Sequence, residues 1–135
     1  MSGEKELKVL LTSMAPSLGV EEFVFCTVAH AQTVSSLGVS PKGLFEESEG
    51  TTLILQRSQA EAAQLHYSGI YRCITLNVHS SLEAVGLTAA VSKALADANI
   101  SANVVAAYYH DHIFVPSEQA QEAISALNDL TQARH

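Results

Sequence analysis

Between Ile70 and Val78 the chain has a period of two: Ile70, Ile74, Leu76 and Val78 fall on one parity, and Tyr71, Cys73, Thr75 and Asn77 on the other. Successive side chains of a strand point to opposite faces, so this pattern predicts a strand with one face in a core. The period then changes. Leu87, Val91, Ala94, Leu95 and Ala98 recur at helical spacing, predicting a helix from about Gly86 to Ala98, with Asn99 placed where a left-handed helix-ending residue is tolerated. Ala102, Val104, Ala106 and Tyr108 alternate with Asn103, Val105, Ala107 and Tyr109, and His112-Ile113-Phe114-Val115 supplies a partner strand. His110-Asp111 reads as the hairpin turn between them. Pro116-Ser117 opens a last helix, whose stripe is Ala120, Ala123, Ile124, Leu127 and Leu130.

The N-terminal half has a similar order. Leu7, Leu10, Leu11 and Met14 share one helical face, so a helix is expected from about Glu4 to Ala15, ended by Pro16 and Gly19. Phe23 to Val28 reads as a buried strand, and Thr51 to Gln56 as a β-branched one. The breaker-rich stretch between them, Ala29 to Gly50, leaves room for a short strand at Gly43 to Glu47. Ser58-Gln59-Ala60-Glu61 has the form of a capping box, which predicts a short helix starting there. Helix, strand, strand, helix thus occurs twice, and the chain reads as a duplication with halves at 1–68 and 69–135. The local trace is Arg57-Ser58-Gln59-Ala60-Glu61-Ala62-Ala63 against Pro116-Ser117-Glu118-Gln119-Ala120-Gln121-Glu122-Ala123. The fold class is α+β.

Charge narrows the partners. Fourteen acidic and seven basic side chains give a formal charge of −7, and Lys5, Lys8, Lys42, Arg57, Arg72, Lys93 and Arg134 are scattered. Such a surface repels phosphate backbones and anionic lipid, so neither nucleic acid nor membrane is an expected partner. No apolar run approaches the roughly 20 residues of a membrane span, and the start Ser2-Gly3-Glu4-Lys5-Glu6 lacks the order of a signal peptide, so a cytoplasmic location is expected. Cys26 and Cys73 stand alone in strands, without the spacing of a zinc knuckle or redox pair, and read as reduced, half-buried thiols.

Catalytic signals are missing. There is no nucleophile elbow, no HExxH and no glycine-rich phosphate loop, so no enzyme, no catalytic residue and no cofactor is expected. His110-Asp111-His112 offers two imidazoles, with His79 the sole conceivable third, which falls short of a metal site. His30 and His66 read as surface residues.

The run Val85-Gly86-Leu87-Thr88-Ala89-Ala90-Val91, through Ala98-Asn99-Ile100-Ser101-Ala102-Asn103-Val104, to Tyr109-His110-Asp111-His112-Ile113-Phe114-Val115 resembles the ACT domain. Phe23 to Val28 with Glu46 to Leu53 resembles the N-terminal half that accompanies it in tandem amino-acid sensors. The resemblance implies a ferredoxin-like βαββαβ fold in two tandem halves. The second half ends on a helix and lacks a fourth strand of its own, so a shared or exchanged strand is expected.

It also implies a site. In ACT domains the ligand sits where the first strand turns into the first helix, here His79 to Leu87, and unpaired N–H groups at such a turn attract a carboxylate. The implied ligand-binding residues are Ser80, Ser81, Leu82, Glu83, Val85, Gly86 and Leu87, with Asn103 and Val105 on one face of a neighbouring strand. Gly86 lets a ligand approach the backbone, Ser80 and Ser81 can donate to a carboxylate, and Glu83 can pair with an ammonium. Ser81 as a plain helix cap and Glu83 as a favourable N-terminal charge account for the same residues without a ligand. The implied function is a non-catalytic regulatory sensor of a small-molecule amino acid, homodimeric and acting on a protein partner in trans. The alternative is an ACT-fold dimerisation module with no metabolite.

Overall fold

The computed structural model describes residues 9, 11–77 and 84–132. A helical segment, α1, has its described residues at 9 and 11–13. It is followed by β1 (Ser17–Val28), α2 (Val34–Leu37), β2 (Gly43–Glu46), β3 (Thr51–Gln56) and α3 (Arg57–Ala62). Then come β4 (Tyr71–Leu76), α4 (Ala84–Asp97), β5 (Asn103–Ala106), β6 (Asp111–Pro116), a 3-10 turn at Ser117–Gln119, and α5 (Ala120–Thr131). From β1 onward the order β-α-β-β-α therefore occurs twice. The chain divides into two compact units, Glu21–Tyr71 and the residues before and after it.

In the unit Glu21–Tyr71 the strand order is β2-β3-β1, all antiparallel, with Phe23 opposite Gln56, Val28 opposite Thr51 and Gly43 opposite Ile54. Alternation sends Val24, Cys26, Val28, Leu53 and Leu55 into one cluster with Val39 and Ala60. The breaker-rich stretch from Ala29, where only a short strand is expected, also contains α2. A capping box opens it: Ser36 N donates to Thr33 Oγ1 (3.0 Å), and Thr33 N donates to Ser36 Oγ (3.1 Å). Gly38 closes it at φ 71°, where a residue without Cβ is unstrained. The capping box expected at Ser58 does not form. α3 starts one residue earlier, its N-cap is Gln56 without a side-chain bond, and the Glu61 carboxylate is held by Arg57 and Tyr67 instead.

The second unit has the order β1-β4-β6-β5, with β1 contributing residues 17–20 and giving residues 21–28 to the other unit. One strand is thus shared between the halves. Strand β1 begins at Ser17, six residues before the expected Phe23. Ile74, Leu76, Ile113 and Val115 face α4 and α5, where Leu87, Val91, Leu95, Ala123 and Leu127 complete the core with Met14. Asn99 adopts φ 62° and ends α4 as its position predicted.

The hairpin turn lies elsewhere than expected. Ala107 N donates to His110 O (3.0 Å), which puts Tyr108 and Tyr109 at the tip. Asp111 is a strand residue opposite Ala106, and at 6% exposure it is buried. The tyrosines are solvated and the strand continues inward to Ile113, so burial decides the register that polarity alone misplaced. Both thiols are buried rather than half-buried. The 3-10 turn takes the place of the first turn of the last helix. β3 and β6 carry one burial pattern: positions one, three, four and five are buried and two and six half-buried, so the duplication is visible in packing where it is faint in identity.

Candidate functional site

The expected site begins where β4 gives way to α4. His79, Ser80, Ser81, Leu82 and Glu83 lie outside the described residues. Val85 and Gly86 fall in the first turn of α4. The Leu87 side chain is 1% exposed and packed in the core, so a ligand at this turn meets its backbone and not its side chain.

The other two expected residues lie on β5. The ladder sets Asn103 opposite Phe114 and Val105 opposite His112, so both stand on the sheet face that points away from α4 and α5. Asn103 Nδ2 donates to the Phe114 carbonyl (3.4 Å), a structural bond of the kind a strand asparagine commonly makes. Val105 is 38% exposed.

That face carries polar groups the sequence reading did not assign to the site. His112 Nδ1 lies 3.0 Å from Thr75 Oγ1 and 4.0 Å from Cys73 Sγ, all half-buried or buried. The signal was present in the alternation of Cys73 and Thr75 on β4, but only the pairing of β4 beside β6 selects His112 as their neighbour. A thiol at 4% exposure is closed to a substrate, so this trio is a packing and hydrogen-bonding cluster rather than a nucleophile and base. His110 Nδ1 is buried with no hydrogen-bond partner among the described residues. Burial raises the Asp111 carboxyl above its ordinary range, and the His112 charge offsets part of that rise. Among the described residues no group of three or more His, Cys, Asp or Glu side chains is placed to hold a metal ion.

The unit Glu21–Tyr71 holds a second polar network. Arg57 donates to Glu22 Oε1 (2.9 Å), Glu61 Oε2 (3.1 Å) and Tyr67 Oη (3.2 Å), and Tyr67 donates to Glu61 Oε2 (2.7 Å). Glu22, then Tyr67, then Glu61 hold the guanidinium even more firmly protonated. The Tyr67 hydroxyl first, and Arg57 second, hold the Glu61 carboxyl below its ordinary range. His30 and His66 are exposed, and His30 Nε2 lies 2.6 Å from the Glu47 carbonyl. No helix among the described residues is long and apolar enough to cross a membrane.

Residues 2–72 match one ACT domain family and residues 68–129 match another. No curated protein matches the chain. Among solved structures, a protein of unknown function from Vibrio cholerae, described as a possible transport protein, is 48% identical, with TM-score 0.86 over 97% of this chain and 100% of that one. A protein from Agrobacterium tumefaciens superposes with TM-score 0.71 at 11% identity over 86% of this chain and 87% of its own. The ligand-free regulatory subunit of aspartate kinase from Thermus thermophilus superposes with TM-score 0.67 at 8% identity, over 87% of this chain and 97% of its own. At such identities the last two likenesses concern the fold alone.

Proposed function

The chain belongs to the ACT domain family, and from that premise we propose that it is a cytoplasmic, non-catalytic regulatory module that binds a small amino acid. The observation that carries the reading is the tandem itself: two ACT domain matches follow one another along the chain, at residues 2–72 and 68–129. In this reading the module acts on a protein partner in trans, by shifting between packings that a ligand stabilises unequally. The halves divide near residue 68. The ligand sits against the turn of Ser80, Ser81, Leu82 and Glu83 and the opening of α4 at Val85, Gly86 and Leu87, with Asn103 and Val105 as the facing strand.

A thermal-shift screen of the purified protein against the twenty amino acids tests this directly. Ligand at about 100 times its dissociation constant stabilises the native state by about 2.7 kcal/mol, a rise in Tm of several degrees for a chain of this size. A rise with one amino acid or a related few supports the sensor. Replacing Gly86 with leucine blocks the close backbone approach, so the rise should vanish while the unliganded Tm changes little; an undiminished rise in that variant moves the site elsewhere.

One observation favours the alternative, a dimerisation module without a metabolite. All four residues of β5 are exposed, Val104 and Val105 among them at 38%, and Tyr108 and Tyr109 stand at 83% and 64%. An edge strand with apolar side chains and no lysine is an open template for another strand. A second copy pairing there accounts for the exposure. A screen with no shift on folded, dimeric protein would move the weight to this reading.

A further inference from the structure

Two hollows of about 390 and 270 Å³ adjoin in the unit Glu21–Tyr71, sharing Glu21 and Gln56. The larger is lined by Glu22, Arg57 and Glu61, where one guanidinium is engaged by both carboxylates. The smaller is lined by Glu21, Phe23, Ser40, Lys42 and Gln56. Its walls follow from the ladder. Phe23 pairs with Gln56, the last residue of β3, so Glu21 stands beyond the pairing. Lys42 N donates to the Ile54 carbonyl (2.8 Å) and Ser40 N to Gln59 Oε1 (2.7 Å), which fixes the segment before β2 to β3 and α3. Phe23, 5% exposed, forms the floor, with Lys42 Nζ 5.7 Å from its ring centre.

The charges in this smaller hollow are unmatched. Arg57 engages Glu22 and Glu61, while among the described residues neither the Glu21 carboxylate nor the Lys42 ammonium has an ion-pair partner. A simple anion there meets Glu21, and a simple cation meets Lys42. A molecule carrying both charges close together satisfies both groups. We propose that this hollow is a binding site for a small zwitterion, the free α-amino acids being the plainest class. The ligand carboxylate meets Lys42 Nζ and the Ser40 hydroxyl, the ligand ammonium meets the Glu21 carboxylate and the Gln56 amide oxygen, and the apolar part lies on Phe23. The volume is below the roughly 300–1,000 Å³ of sites for drug-sized ligands, which suits an occupant of this size. Two exposed ion pairs are each weak, so binding is in the millimolar range. This site belongs to the unit Glu21–Tyr71 and does not depend on the turn before α4.

The test is an amide-shift titration of the isotope-labelled full chain with glycine, L-alanine and L-serine, with acetate and ethylammonium as single-charge controls. The amides of Ser40, Lys42 and Gln56 should move saturably with the zwitterions and not with the controls. Glu21→Gln and Lys42→Met, both exposed and outside the cores, should each weaken the response about two- to fivefold, the loss expected for an exposed ion pair. Stationary groove amides, equal shifts with acetate, or variants that respond like the parent overturn the proposal. Gly86 and Leu87 amides report the other site in the same titration, so failure of one reading is distinguishable from failure of the other.

Discussion

Arg57, Glu61 and Tyr67 illustrate how little a residue type says without its neighbours. Glu61 was expected to cap a helix and instead accepts from a guanidinium and a phenol. Its folded-state carboxyl titrates below its unfolded value, so its contribution to stability is present above the unfolded range and is lost as pH falls through the folded one. Tyr67→Phe should move the Glu61 titration back toward the ordinary carboxylate range, read from side-chain NMR, with little change in Tm because the group is exposed. Asp111 has the opposite sign. Burial raises its folded value, so ionisation costs stability as pH rises through the interval between the unfolded and folded values. Asp111→Asn should therefore raise Tm at about pH 7, and the gain should shrink as pH falls toward the carboxylate range; a gain independent of pH would mean that packing, not charge, is responsible. In the core, Leu127 is fully buried against the α4 side chains, and Leu127→Ala should cost about 2–5 kcal/mol in denaturant unfolding.

At the scale of elements, periodicity carried β4, α4 and α5, because the apolar residues of each repeat with its geometry, whereas β3 was legible from its β-branched composition. It failed at α2, a helix of one turn with no buried residue, too short to show a period. The signal there was chemical: Thr33 and Ser36 at capping-box spacing, followed by Gly38. Thr33→Ala should destabilise the unit Glu21–Tyr71 by about 1 kcal/mol, and faster amide exchange confined to residues 34–39 is the measurement that identifies the cap as the cause. The β5 to β6 hairpin failed differently. Polar His110-Asp111 looked like a turn beside Tyr108-Tyr109, yet the tyrosines are solvated and Asp111 is buried.

For the whole molecule, composition and edge strand make opposed demands. A formal charge of −7 makes two copies repel, whereas Ile100 to Tyr109, which contains β5, has no charged side chain at all. Association through β5 should thus strengthen as salt screens the repulsion, the reverse of an interface held by opposite charges. Sedimentation equilibrium at low and high ionic strength checks the direction, and Val105→Lys, which puts a charge on the pairing edge, should shift the population to monomer by tenfold or more. Salt-independent association, or a variant as dimeric as the parent, would place the contact elsewhere.

The sequence by itself determined the α+β class, the duplication, the left-handed ending at Asn99, the β-branched strand β3 and the aliphatic faces of β4, α4 and α5, because each depends on a local composition, a local period or a single backbone preference. Tertiary structure alone decided that β1 is the strand that contributes to both units, that His112 joins Thr75, and that Glu21 and Lys42 face one hollow. Those relations join residues from about 20 to 50 positions apart, or depend on strand order, and neither is encoded in any local pattern of side chains.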